Sequence, residues 1–154
     1  MDADGAFCVT RLAVVRFSAT STQGEIRTQL SAAQVSAGFS FGNDLRWTKD
    51  RLWLAVYSAE SAPNGPMLFS LGRDDTTLRA EPDAASAIGY VHLADPLGDR
   101  LFTIRGSELV VYHGDDGRVE RVALGYAGQP NRFTQDAQYV YWYDFPVLMR
   151  HPKP

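Results

Sequence analysis

Apolar residues in this chain occur in short runs that alternate with polar residues at a period close to two. Such runs, separated by small and turn-forming residues, are typical of β-strands. Arg51 to Ser58 is the strongest run in the first half of the chain, and Glu25 to Leu30 alternates as a half-buried strand should. Further strands are predicted at residues 11–17, 67–71, 77–81, 90–93, 100–105, 108–113 and 118–124. The pattern therefore predicts an all-β protein.

Turn-forming residues mark the connections between these strands. Residues 59–66 contain Pro63 and Pro66, which disfavour both a helix and a central strand. Gly114 to Gly117 predicts a hairpin, because Asp-Gly tolerates the positive φ that tight hairpins need. Pro82 is expected to end the strand before it. Residues 31–37 have helical propensity, but they are few and lack a convincing capping box, so we expect a connection there.

One short pattern recurs along the chain: an Asp followed three positions later by an aromatic residue. It starts at Asp4, Asp50, Asp99 and Asp136, which lie 46, 49 and 37 residues apart (50−4, 99−50, 136−99). Spacings of roughly 20 to 50 residues are typical of repeat arrays. The predicted units are residues 1–35, 36–85, 86–127 and 128–154.

Each complete unit shows an aromatic-anchored strand, a loop, a second strand, a tight turn and an outer strand. Four antiparallel strands that cannot bury both faces alone are typical of a propeller blade, so we predict a single propeller-type domain over residues 1–154. A two-sheet sandwich also has short alternating strands, but it does not explain the repeated Asp and aromatic pattern.

The last unit contains Tyr141-Trp142-Tyr143-Asp144, preceded by Asp136 and followed by Val147 to Arg150 and by Pro152-Lys153. It resembles the YWTD-type β-propeller repeat, and most closely the bacterial, usually exported propellers whose blades read Asp-x-x-x-Val-Tyr-Trp and end near Arg-x-Pro-Lys. Tyr143 replaces the family's Thr, and the other units keep only the Asp and one aromatic. The resemblance implies a propeller fold, a binding or scaffold role and an exported location. It carries no catalytic residue.

The alignment of the units also predicts an incomplete ring. It places the start of the chain at the second strand of a blade and its end before an outer strand. The expected strand count is three, four, four and three, about fourteen in all. We therefore expect part of a longer propeller, or a chain that pairs its terminal blade edges with another chain.

Composition narrows the possible partners. The net charge of −3 and scattered Lys and Arg do not favour nucleic acid. No apolar run approaches the roughly 20 residues that span a bilayer, and the first residues do not resemble a signal peptide. These features do not indicate a cellular compartment. The single cysteine, Cys8, lies in an apolar run and is expected to be buried.

Motifs that could carry chemistry favour structural interpretations. Gly38 to Gly42 fits the G-x-S-x-G nucleophile pattern around Ser40, but no helical periodicity follows, so a strand is expected. The carboxylates of Asp74-Asp75 and of Asp115-Asp116 are adjacent in turns. Neighbouring side chains there point apart, so they are not expected to act together as a general acid and base. Asp2 to Gly5 lacks the remaining oxygens of a calcium loop.

The three histidines lack metal-ligand spacing. We expect His113 and His151 at strand ends facing water, and His92 on a strand face. No cofactor is predicted.

The predicted function is a non-catalytic binding or scaffold module for a protein or small molecule. Loops can vary without disturbing blade packing, so the candidate ligand-binding residues are Asn64, Arg105, Glu108 and Asp144. The alternative is part of a propeller-fold hydrolase or lyase whose catalytic residues lie mostly outside this chain. Aromatic residues in the repeats could line a carbohydrate or quaternary-ammonium site, but packing between units is the preferred interpretation. They are Trp47, Trp53, Phe102, Tyr139, Tyr141 and Trp142.

The 154-residue chain is predicted to self-associate or to be only marginally stable, because unpaired strand edges at both ends invite pairing with another chain. Size-exclusion chromatography with light scattering measures the association. A sharply folding monomer whose terminal strands are protected from hydrogen exchange would contradict the incomplete-ring prediction.

Overall fold

The computed structural model describes residues 6–18, 20, 23–58, 67–125, 132–144 and 146–153, with the backbone alone at residues 43 and 44. Four antiparallel sheets contain the fourteen strands of this part, in groups of three, four, four and three. The predicted all-β character and strand count are confirmed.

Every sheet is a meander, with each strand paired to the next in the chain. The first sheet holds β1 (Ala6–Val9), β2 (Ala13–Phe17) and β3 (Gly24–Gln29). The second holds β4 (Ser40–Trp47), β5 (Arg51–Tyr57), β6 (Met67–Gly72) and β7 (Arg79–Ala80). The third holds β8 (Leu93–Ala94), β9 (Arg100–Arg105), β10 (Glu108–His113) and β11 (Val119–Ala123). The fourth holds β12 (Arg132–Gln135), β13 (Tyr139–Asp144) and β14 (Val147–Pro152).

Two short helices follow the first and second sheets, α1 (Ala32–Ser36) and α2 (Pro82–Ile88). The prediction of a connection without a capping box at residues 31–37 is wrong. The Ser31 hydroxyl accepts from the Gln34 N–H at 3.2 Å, and the Gln34 side chain accepts from the Ser31 N–H at 2.8 Å. Gln therefore completes the reciprocal cap that Glu often provides.

Helix α2 was not predicted, because Pro82 was interpreted only as the end of a strand. Proline also suits the first turn of a helix, where its missing N–H costs no intrahelical hydrogen bond. The helix ends at Gly89, whose φ of 68° is one that glycine adopts without steric cost. Its buried residues are Ala84, Ala87 and Ile88. Within the part of the chain that the structure describes, no helix has the length and apolar character to cross a bilayer.

Three apolar clusters lie between successive sheets. Val14 and Leu52 belong to the cluster between the first and second sheets. Trp53 and Tyr112 belong to the next cluster, which also includes the apolar side of α2. Phe102 and Trp142 belong to the cluster between the third and fourth sheets. The sheets therefore pack face to face in chain order, and the packing interpretation of Trp53, Phe102 and Trp142 is confirmed.

The first strand of each sheet ends in a turn that is closed by an equivalent hydrogen bond, although the turn of the third sheet is two residues longer than the others. In each turn a Thr or Asp N–H donates to the carbonyl of the residue that opens the second strand. These bonds are Thr10 to Ala13 (2.8 Å), Thr48 to Arg51 (3.0 Å), Asp95 to Arg100 (2.9 Å) and Asp136 to Tyr139 (3.1 Å). The turns align β1 with β4, β8 and β12.

This alignment corrects the one made from the sequence. Asp136 corresponds to Thr48 and Asp95, and not to Asp50 and Asp99, because threonine can replace aspartate in this turn. β1 is therefore a first strand and not a second one; Asp4 lies outside the described residues. The buried position expected for Cys8 is also wrong. It is exposed because Phe7 and Val9, on the other face of β1, turn toward the neighbouring sheet.

A carboxylate joins the second and third sheets. The Thr48 hydroxyl donates to Asp99 Oδ1 at 2.5 Å and accepts from the Trp53 indole N–H at 3.2 Å. Arg51 Nε lies 3.1 Å from Asp99 Oδ2, and Arg51 Nη1 lies 3.8 Å from Glu81 Oε1. The buried Glu81 also accepts from the Ser70 hydroxyl at 2.7 Å. These groups satisfy one another, which is what buried polar groups require.

A second carboxylate joins the third and fourth sheets. Asp95 is 1% exposed, and its Oδ2 accepts from Arg100 Nη2 at 2.6 Å. Its Oδ1 accepts from the Leu97 N–H at 3.1 Å and from Lys153 Nζ at 3.3 Å. Burial alone would raise the pKa of Asp95, but the hydrogen bonds from Arg100 and Leu97 and the charge of Lys153 lower it overall.

Asp95→Asn is predicted to lower the free energy of unfolding by about 3 kcal/mol at neutral pH, because it leaves two cations without their buried partner. The folded-state pKa of Asp95 is lowered, so its contribution is complete above its ordinary value of 3.8 and is lost as pH falls through the folded value. Urea unfolding across pH should therefore show a difference from the native chain that shrinks only in acid. Asp74→Asn, in an exposed turn, is the control. An equal loss in both variants would contradict this role.

Candidate functional site

The residues predicted from the sequence lie in the connections between second and third strands. Arg105 and Glu108 flank the β9–β10 turn, and Asp144 ends β13 before the β13–β14 turn. Asn64 lies outside the described residues. Arg105 Nη1 donates to the carbonyls of Ser86 and Ala87 at 3.1 Å, at the end of α2. Arg105 therefore holds the helix against the third sheet.

Glu108 is engaged as well, because its Oε2 lies 3.1 Å from Arg121 Nη1 on β11. Each side chain is a little under half exposed, and a pair this open to water contributes little to stability. The structure does not bring these residues and Asp144 together into a pocket among the described residues. The prediction that they bind a ligand remains untested.

The other motifs considered for chemistry are the Ser40 stretch and the potential metal ligands. Ser40 opens β4 opposite Tyr57, so the strand interpretation of the G-x-S-x-G stretch is confirmed. Among the residues that the structure describes, no group of three or more His, Cys, Asp and Glu could hold a metal ion.

His113 is buried, and the prediction that it faces water is wrong. Arg118 Nη2 lies 3.4 Å from its Nδ1, and Glu120 Oε1 lies 3.6 Å from its Nε2. The β10–β11 hairpin folds these side chains over the end of β10. Burial, and then the charge of Arg118, lower the pKa of His113. His151 is half-buried in β14.

A cleft lies on the first-strand side of the stacked sheets. Its lining residues come from three successive sheets: Arg46 from β4, Tyr90 and His92 from the segment before β8, and Arg132 and Phe133 from β12. We call it the first-strand cleft. Its volume is about 330 Å³, within the range of roughly 300 to 1,000 Å³ that is usual for small-molecule sites.

Aromatic contacts fix one wall of the first-strand cleft. The His92 ring stacks on Phe133 with centroids 4.7 Å apart and an interplanar angle of 15°. Tyr90 meets His92 edge-on at 5.3 Å, and Phe133 stacks on the buried Trp142 at 6.5 Å. These ring contacts extend from Tyr90 at the surface to the buried Trp142. The rings of the fourth sheet, Phe133 and Trp142, therefore support His92 of the third sheet.

Hydrogen bonds fix the orientation of His92. Its Nδ1 lies 2.8 Å from the Thr103 hydroxyl and 3.4 Å from the Ile104 N–H, both on β9. The backbone N–H of Ile104 can only donate, so Nδ1 accepts from it, and these two contacts hold the ring against β9. The prediction that His92 lies on a strand face is close to this position, just before β8.

Two guanidinium groups lie at the cleft, those of Arg46 and Arg132. Arg46 is already engaged, since its Nη1 donates to the Leu45 carbonyl at 3.4 Å, whereas Arg132 is exposed at the start of β12. A second cavity of only about 10 Å³ shares Arg46 and Tyr90 and lies against Trp53, Leu54 and Val91. It is barely large enough for a water molecule.

Sequence reasoning missed all five lining residues, because His92 was considered only as a metal ligand and as a residue on a strand face. The turn alignment shows why the three sheets meet here, because His92 and Phe133 each lie three positions before the aligned turn residue, and Arg46 lies two positions before it. Equivalent positions on stacked sheets lie side by side. A correct alignment of Thr48, Asp95 and Asp136 was therefore the signal that could have found the cleft.

Comparison with known proteins adds no relative, because no family model, curated protein or solved structure matches this chain. The function is therefore inferred from the geometry of the first-strand cleft.

Phe133→Leu is predicted to lower the free energy of unfolding by about 0.5 to 1.5 kcal/mol beyond the effect of lost apolar area, because it removes the stacking on His92 and Trp142. Urea denaturation measures the change, with Leu148→Ala on the exposed part of β14 as the control. No difference between the two variants would show that the stacked wall is not an ordered feature of the fold.

Proposed function

We propose that this chain is a propeller-type binding module whose ligand site is the first-strand cleft. The four sheets correspond to blades, and the sandwich remains the alternative architecture. The module is non-catalytic in this proposal, as expected from the sequence.

Packing between the sheets supports the propeller architecture. Among the residues that the structure describes, an apolar cluster lies between each pair of sheets that follow one another in the chain. β1 lies against β4, and β4 lies against β8, so the first strands are neighbours. In a propeller the blades are arranged around a central channel, which brings equivalent strands of adjacent blades together in this way. Two sheets of a sandwich would not give three successive interfaces.

The observation that carries the binding role is the convergence of three sheets on one cleft. The first-strand cleft combines a stacked aromatic wall, an oriented histidine and two arginines in a volume suited to a small molecule. Aromatic side chains beside a few convergent polar groups are usual in small-molecule sites. These side chains belong to regular strands or to short segments beside them, so the site is largely preformed.

The test is a ligand screen followed by nuclear magnetic resonance mapping on the isotope-labelled chain. A library of small aromatic, anionic and sugar compounds is titrated, and saturable shift changes are expected at Tyr90, His92 and Phe133. Shift changes confined to residues 105–108 and 144 would move the site to the loops and contradict this proposal. No saturable ligand in the library would overturn the binding role.

A further inference from the structure

We propose that the first-strand cleft selects a small ligand that carries an oxyanion on a flat ring, such as an aromatic carboxylate or an aromatic phosphate ester. This inference rests on the proposed binding function and adds the chemical class of the ligand. It follows from the arrangement of charge and rings around the cleft.

The anionic group is recognised by the Arg132 side chain. A guanidinium group offers a planar pair of N–H donors that matches a carboxylate or phosphate, and such charge-assisted hydrogen bonds are stronger than neutral ones. Arg132 is exposed at the start of β12, next to Phe133 of the aromatic wall. Arg46, half-buried on β4, is engaged with the Leu45 carbonyl, so Arg132 is the arginine that meets an anion in the cleft.

The flat ring is recognised by the aromatic wall. Phe133 is half-buried and held from behind by Trp142, while Tyr90 is 40% exposed and lies edge-on to His92. Such rings favour a planar partner by offset or edge contacts. A ring is also the part of the ligand that gains from leaving water, since an oxyanion alone is well hydrated.

The size and charge of the molecule argue for a small ligand and against a polyanion. The cleft holds about 330 Å³, and the cavity beside it, at about 10 Å³, leaves no room for the ligand to extend toward Trp53. The whole chain carries a net charge of −3, which repels an extended polyanion. One exposed arginine among the residues described for the cleft, in a chain of net negative charge, therefore points to a single anionic group.

The experiment is isothermal titration calorimetry of the full chain with four compounds: 1-naphthoate, its neutral analogue 1-naphthamide, 1-naphthyl phosphate and inorganic phosphate. Naphthoate or naphthyl phosphate is expected to bind about 10-fold more tightly than the amide, the change that one charge-assisted hydrogen bond gives. The tighter of the two anions identifies the carboxylate or phosphate source. Raising the salt concentration should weaken the anions and leave the amide unchanged.

Variants test the two halves of the inference separately. Arg132→Gln is expected to weaken the better anion about 10-fold and to leave naphthamide unchanged. Phe133→Leu should weaken both. Arg121→Gln removes an exposed arginine of β11, outside the cleft lining, and serves as the matched control with unchanged affinities.

Each of the following results would overturn the inference. Equal affinity for naphthoate, naphthyl phosphate and naphthamide, or equal effects of Arg132→Gln and Arg121→Gln, would show that the cleft does not recognise an anionic group. Inorganic phosphate that binds as tightly as naphthyl phosphate would show that the cleft does not recognise the ring. If none of the four compounds binds while the library screen maps a neutral ligand to the cleft, this inference fails and the proposed binding function stands.

Discussion

The fold depends most on the Asp99 carboxylate, which ties the two four-stranded sheets together. One oxygen accepts from Thr48 in the turn of the second sheet, and the other lies 3.1 Å from Arg51 Nε. Gly114 makes room for this contact, because a Cβ there would lie 2.6 Å from Asp99 Oδ2. A buried charge is costly unless it is paired, so the sheets can approach closely only when this group of bonds forms. The contact therefore fixes how one sheet is placed on the next.

The same principle is repeated with different residues at the next interface. Asp95, Arg100 and Lys153 join the third and fourth sheets, and the stacked rings of His92, Phe133 and Trp142 continue the interface to the first strands. The candidate site therefore depends on the structural contacts. Because the carboxylates set the stacking, His92 and Phe133 come into contact, and the cleft between three sheets keeps its shape.

Much of the fold could be predicted, because alternating apolar residues and Gly, Pro and Asp turns are local signals. The strand count followed from them, and so did the place of the β10–β11 hairpin. The errors have physical causes. Gln34 completes a cap usually attributed to Glu, Pro82 starts a helix after a strand, and Thr48 fills a turn position that Asp fills elsewhere. Because a Thr stands at this position in the second unit, the alignment of the units made from the sequence followed the wrong Asp residues.

The candidate site was harder to predict than the fold, because none of its residues is close in sequence to all the others. Arg46 and Arg132 lie on strands separated by the whole third sheet, and only stacking brings them to one cleft. The loop residues favoured by sequence have other partners in the structure: Arg105 supports α2, and Glu108 pairs with Arg121. Polarity in a loop did not distinguish a ligand-binding side chain from one that stabilises the fold.

The most direct test of this account is a double-mutant cycle between Thr48 and Asp99, with Thr48→Val, Asp99→Ala and the double variant compared by urea unfolding. If the carboxylate joins the sheets, the two positions are coupled by about 1 kcal/mol or more, in the range of roughly 0.5 to 3 kcal/mol found for residues in one network. Free energies of unfolding that simply add would contradict it. They would show that the second and third sheets do not meet through Asp99, and the stacking that builds the first-strand cleft would lose its basis.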